Sequence, residues 1–227
     1  MNVIITGASR GIGFELIQQF LQHSATVFCL TRNTEPLKPF ANPNLHVYAT
    51  DLASVESMNA ALGLIREKAK HIDIIIHNAG SLVNKPYDSI SYTELEHVYK
   101  VNVFAPYYVT QQLLPLLGKE KRTHVVTISS MGGFQGSAKF PGLTAYSSSK
   151  AAIASLTECL AEELKEKNIS VNCLAIGAVQ TEMLAEAFPG YQAPLSPLQM
   201  AEYIYEFATK GHQYYNGKIL PVSSSTP

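Results

Sequence analysis

Short apolar runs rich in β-branched residues alternate with longer stretches of helical periodicity through nearly the whole chain. Residues 3–6, 26–31, 45–48, 72–77, 125–129, 170–175 and 218–222 read as strands. The run 72–77 is almost purely apolar, as a parallel strand buried on both faces requires. Between the strands lie helical patterns at 14–23, with Phe14, Ile17, Phe20 and Leu21 on one face, at 54–70 behind Ser54, and at 144–167. Ser91 and Glu94 form a capping box that opens another long helix, and Ser196, Pro197 and Gln199 open the last one, to about residue 210. Each parallel crossover needs a helix-sized connection, so the alternation predicts an α/β fold: a doubly wound parallel sheet of about seven strands with helices on both faces. No repeat or linker divides the chain, so residues 1–222 are expected to form one domain and 223–227 a loose tail.

Composition narrows the partners. Of 227 residues, 46% are hydrophobic and 15% charged, against ~25% charged in ordinary soluble domains. Surface buried by oligomerisation would account for so little charge. The net charge is -1 and no segment gathers Lys and Arg into a stripe, which argues against a nucleic-acid partner. The apolar helical stretch 101–117 is broken by Asn102, Pro106, Gln111, Gln112 and Pro115, short of the ~20 residues that span a bilayer, so no membrane partner is expected. The N-terminal segment lacks the charged and long apolar regions of a secretory signal. Cys29, Cys159 and Cys173 are scattered among apolar residues and read as reduced core thiols of a cytoplasmic protein. No metal-binding motif is present.

The chemistry begins between the first strand and the first helix, at Thr6-Gly7-Ala8-Ser9-Arg10-Gly11-Ile12-Gly13. Gly7 suits a tight turn, Gly11 a close approach of backbone to a pyrophosphate, and Gly13 close helix packing. The helix N-terminus offers N–H donors to phosphate. Strand, loop and helix in this order predict a three-layer Rossmann-type dinucleotide-binding fold. Which nicotinamide cofactor binds follows from charge at the adenosine ribose. An acidic residue ending the second strand would hold the 2′-OH of NAD, but Thr31-Arg32-Asn33 stands there. Arg32, with Arg10 opposite, can fork onto a 2′-phosphate, so NADP(H) is expected over NAD(H).

The spacing Thr-Gly-x-x-x-Gly-Ile-Gly resembles the signature of the short-chain dehydrogenase/reductase family, and the resemblance continues to about residue 220. His77-Asn78-Ala79-Gly80, Asn102, Ser129-Ser130, Tyr146-x-x-x-Lys150 and Gly177-x-x-x-Thr181 follow in the family's order. The resemblance implies that Asp51 and Leu52 meet the adenine and that Asn78, Ala79 and Gly80 border the adenosine. Ser9 and Ile12 belong to the same cofactor loop, and Gly177, Val179 and Thr181 contact the nicotinamide amide. It also implies the roles of four catalytic residues. Tyr146 exchanges a proton with the substrate oxygen and Ser130 hydrogen-bonds that oxygen. Lys150 holds the nicotinamide ribose and tunes Tyr146, and Asn102 holds a relay water.

Tyr146 and Lys150 share one helix face. An ammonium about 4 Å away would contribute roughly 4 kcal/mol at an effective dielectric of 20, enough to lower a phenol pKa by up to a few units. The implied function is an NADP(H)-dependent oxidoreductase interconverting carbonyl and alcohol. Its substrate stretches would be 82–87, 131–144 with Phe134, Phe140 and Leu143, and a short lid at 182–195. These are mostly apolar, which fits a small to medium ketone or aldehyde, although core packing would explain the same aromatics. The alternative is a nucleotide-sensing or interaction protein on the same fold that has lost turnover. His77 and Ile176 depart from the family pattern, the stretch from Ser130 to Tyr146 is slightly long, and the usual Asp-Gly-Gly near the C-terminus is absent. The helices within 94–117 and 146–167 are the expected oligomer contacts.

Overall fold

The computed structural model describes residues 1–119 and 121–224. Its strands are β1 (Asn2–Thr6), β2 (Thr26–Thr31), β3 (Leu45–Ala49), β4 (Ile74–His77), β5 (Thr123–Ser130), β6 (Ile169–Ile176) and β7 (Ile219–Val222). They form one parallel sheet in the order β3-β2-β1-β4-β5-β6-β7. The helices are α1 (Gly11–Gln22), α2 (Val55–Lys68), α3 (Tyr92–Tyr99), α4 (Ala105–Leu113), α5 (Thr144–Leu164), α6 (Glu182–Ala187) and α7 (Pro197–Lys210).

Alternation along the strands sorts the core into two layers. Val3, Ile5, Val27, Cys29, Ile74 and Ile76 pack with Leu16, Ile17 and Phe20 of α1 and with Met200, Ala201 and Ile204 of α7. Ile4, Phe28, Leu30, Ile75 and Val125 face the other way, onto Leu62 and Ile65 of α2, Val109 and Leu113 of α4, and Leu164 of α5. Each fully buried side chain such as Phe20 or Leu62 stabilises the fold by about 1.5–3 kcal/mol. The strand order reverses between β1 and β4, so a crevice opens beyond their C-terminal ends, the place where such sheets bind ligands.

Several elements differ from their sequence reading. Residues 72–77 do not all join the sheet. Ile72 instead makes a bridge to Leu117, its N–H donating to Leu116 O, so β4 starts at Ile74. The helix that opens at the Ser91–Glu94 capping box is interrupted by a π-helical turn at Lys100–Phe104, which gives way to α4 and a final 3₁₀ turn at Leu114–Leu116. Arg10, inside the glycine loop, is already the N-cap residue of α1, so that helix begins within the loop rather than at Phe14. Cys29 and Cys173 are buried, and burial pushes the Cys29 thiol up to about 12. Cys159 corrects the reading of three core thiols, because it is exposed. It lies two residues from both Thr157 and Ala161, on the buried stripe of α5, and about 200° round the helix from each. Of the expected tail, residues 225–227 lie outside the described residues. Among the described residues no helix is long and apolar enough to cross a membrane.

Candidate active site

The glycine loop is shaped by what packs behind it. Gly7 donates its N–H to Leu30 O at 2.9 Å and has φ +70°, and a side-chain carbon there would sit 2.6 Å from Ala79 Cα. At Gly13 such a carbon would sit 2.4 Å from Gly7 O, so the first turn of α1 lies flush on the loop. The Asn78 amide nitrogen donates to Thr6 O at 3.1 Å and Gly7 O at 2.9 Å, and Ala79 N donates to Thr6 Oγ1. The end of β4 is thereby tied to the end of β1. No side chain caps α1, which leaves its first N–H groups and positive dipole end free for an anion.

A cavity of about 650 Å³ runs from this loop across the sheet. One end is lined by Ser9, Arg10, Gly11, Ile12, Thr31, Arg32, Asp51, Leu52 and Asn78 to Gly80; the other by Ser130, Tyr146, Lys150, Gly177, Val179 and Thr181. Of the cofactor residues read from the sequence, only Gly13 is not in that lining; it supports the loop from behind. Arg32 is exposed and makes no ion pair among the described residues. Arg10 is half exposed and its Nη1 lies 2.7 Å from Glu186 Oε1, a partner 176 residues away that local sequence gives no way to find.

Three elements carry the four residues expected to be catalytic. Ser130 ends β5, Tyr146 and Lys150 occupy the first turns of α5, and Asn102 sits in the π-helical turn. Ser130 Oγ accepts from Gly132 N at 3.1 Å and is close enough to act on the Tyr146 phenol. Lys150 is buried, donates to Ile128 O at 2.8 Å and lies 5.7 Å from the centre of the Tyr146 ring. Burial pulls its ammonium down to about 8, against a smaller opposing pull from Cys173. Burial also raises the Tyr146 phenol, with Ser130 acting weakly the other way. This corrects the expectation of a lowered phenol: the Lys150 ammonium is turned to a backbone carbonyl, and burial is the dominant influence on Tyr146.

The Asn102 amide donates to Ser81 O and Ser149 Oγ, both at 2.9 Å, and accepts from Ser81 N at 2.7 Å. Ser81 and Ser149 were not singled out by the sequence, although Ser149 stands within the Tyr-x-x-x-Lys stretch. Ser149 Oγ donates in turn to Tyr146 O, which links the π-helical turn to the catalytic helix. Gly133 was missed as well. A side-chain carbon there would come 2.5 Å from the Lys150 carbonyl carbon, and the doublet Gly132-Gly133 was the available signal. His77, the last residue of β4, is buried, its Nε2 against Thr110 Oγ1 at 2.8 Å. Burial takes it down to about 3, so it is neutral and remote from the cavity.

The cradle of backbone at a helix N-terminus, continuous with half-buried Ser130 and Tyr146 and buried Lys150, has the donors that a nicotinamide dinucleotide needs. The chain belongs to the short-chain dehydrogenase family, whose sequence model matches residues 1–192. Among its relatives it is 31% identical to the 3-oxoacyl-(acyl-carrier-protein) reductase of Aquifex aeolicus, over 97% of this chain and 94% of that one. Among solved structures it is similar to a 4-hydroxyisoleucine dehydrogenase mutant complexed with NADH and succinate, with TM-score 0.89, 26% identity and coverage of 99% of this chain and 98% of that one. It is also similar to the RhlG/NADP complex of Pseudomonas aeruginosa, with TM-score 0.86, 27% identity and coverage of 99% and 95%. The protein is an oxidoreductase of this family with a nicotinamide cofactor, and its neighbours include complexes of both NADH and NADP.

Proposed function

We propose that the protein is an NADP(H)-dependent reductase and dehydrogenase that interconverts a carbonyl and an alcohol on a small to medium ketone or aldehyde. The observation that carries this reading is one cavity with the uncapped α1 loop at one end and Ser130, Tyr146 and Lys150 at the other. The bound nicotinamide supplies or accepts the hydride. Arg10 and Arg32 would hold a 2′-phosphate, and the α1 N–H groups the pyrophosphate. Lys150 would leave Ile128 O for the ribose hydroxyls. Ser130 orients the carbonyl oxygen, and Tyr146 delivers a proton to it. A phenol raised by burial is protonated at neutral pH, which is the form reduction consumes. Asn102 acts by holding Ser81 and the Ser149 that supports Tyr146. The substrate end is lined by Leu82, Met131, Phe140, Leu143, Met183, Leu184 and Phe188, which supports an apolar or modestly polar substrate. The domain is taken as residues 1–222, acting in the cytoplasm as a homodimer or homotetramer.

The test is Tyr146→Phe. Turnover of carbonyl compounds should fall by about 10²–10⁴, the share of a positioned general acid, while NADPH binding by fluorescence titration is kept. Undiminished turnover overturns the mechanism. Steady-state rates with NADPH and NADH on the same compound test the cofactor, and equal kcat/KM for the two would sink that assignment. Turnover restricted to highly charged carbonyl compounds would refute the substrate class.

A further inference from the structure

The lid helix α6 is attached to the rest of the fold at few points. Of its residues only Ala187 is buried. Its N-terminus is capped by Thr181 Oγ1, which accepts from Leu184 N at 3.2 Å. At its far end Ala187 O accepts from Asn84 Nδ2 at 2.8 Å, and Phe188 meets Phe140 edge to face with ring centres 6.4 Å apart. A further tie is the Glu186 carboxylate on Arg10, 2.7 Å away. A segment with so little buried apolar surface opens at low free energy, so a single polar tie weighs on its position.

That tie uses the guanidinium assigned above to the cofactor. A phosphate monoester carries nearly two charges and three acceptor oxygens, against one charge and two oxygens on a carboxylate, and it is the stronger partner for an arginine fork. We propose that Glu186 is a specificity-determining residue that occupies Arg10 in place of a 2′-phosphate. An adenosine that carries the phosphate displaces Glu186 and releases α6, and with it the Phe188 wall of the substrate end. An adenosine without it leaves the tie in place. The lid thereby reports which dinucleotide is bound. This inference rests on the NADP(H) reading of the cofactor site.

The experiment uses the whole protein with two fragments, adenosine 2′,5′-bisphosphate and adenosine 5′-diphosphate. Backbone hydrogen exchange is followed across residues 182–188, and dissociation constants are measured by calorimetry for the wild type and Glu186→Gln. In the wild type, exchange in the lid should quicken with the bisphosphate and stay unchanged with the diphosphate. In Glu186→Gln it should be fast without ligand. That variant should bind the bisphosphate about two- to fivefold more tightly, the range of an exposed ion pair, and bind the diphosphate as before. Suppose the wild type prefers the bisphosphate but Glu186→Gln changes neither exchange nor affinity: then the inference alone falls. If the wild type binds both fragments equally, the NADP(H) reading falls and takes the inference with it.

Discussion

The two ends of the cavity each hold a cation, and the two are built in opposite ways. Arg10 stands half in water with a carboxylate 2.7 Å away, where an ion pair contributes at most about 1 kcal/mol and either partner is readily exchanged. Lys150 is buried with a backbone carbonyl as its hydrogen-bond acceptor, and desolvation brings it down to about 8. Recognition of an adenosine phosphate needs a charge that can change partners. The group proposed to serve the ribose and the proton transfer is instead held out of water, and the fold bears the desolvation cost of holding it there.

The largest effect expected from this contrast is at Lys150. Lys150→Met should lower kcat by at least about 10², because in the proposed mechanism the residue serves both the ribose and the proton transfer. It should leave Tm within a few degrees or raise it, since an apolar side chain replaces a buried charge. A melting scan beside the rate assay checks both halves, and a collapse in Tm would show Lys150 to be a structural pillar instead. The wild type should also lose NADPH affinity as pH rises through about 8, where the ammonium discharges, and the Met variant should lack that limb.

Buried histidines extend the contrast to stability. His124 Nδ1 donates to Ala208 O at 2.9 Å and its Nε2 accepts from Asn172 Nδ2 at 3.0 Å, which holds the neutral ring. Burial is the main cause that lowers it from 6.5 to about 4. Above pH 6.5 neither folded nor unfolded chain protonates it, and the stability is fully present. Between 6.5 and about 4 the unfolded chain takes a proton that the fold refuses, so stability falls with pH across that window. The loss should reach a few kcal/mol at the acid end, with His77 adding to it. Urea denaturation at pH 7 and pH 4.5 measures the slope, and His124→Gln should flatten it.

How much of this could be read from the chain follows from how local each feature is. The glycine loop and the Tyr146–Lys150 spacing are written within eight and five residues, and the parallel sheet with helices on both faces follows from alternation and the crossover rule. The charge state of Tyr146 could not be read. The spacing brought an ammonium near, but the side chain of Lys150 turns to Ile128 O, a choice made by the end of β5. The π-helical turn at Asn102 was equally hidden, because Pro106 and the polar residues beside it suggested only an interrupted helix.

Next in size is a change at the back of the phosphate cradle. Gly13→Ala puts a carbon against Gly7 O and within 2.6 Å of Asn78 Nδ2, and overpacking of this kind costs about 1–3 kcal/mol. Part of the clash can be relieved by moving the loop. A stability loss by urea titration should therefore be joined by weaker binding of NADPH and NADH alike, since the pyrophosphate contacts are common to both. An unequal loss would mean that Gly13 acts on the ribose end.

The smallest effect is the most selective. Arg10→Met keeps much of the side-chain bulk and removes an exposed charge, so Tm should stay where it is. KM for NADPH should rise roughly tenfold, the weight of a hydrogen bond to a charged group, and KM for NADH should not move. The size is limited because Arg10 already has Glu186 as a partner, and any phosphate contact is gained against that bond. Steady-state kinetics with both cofactors decide the matter. A parallel rise for NADH would assign Arg10 to the pyrophosphate that both dinucleotides share, and would leave Arg32 as the sole reader of the 2′-phosphate.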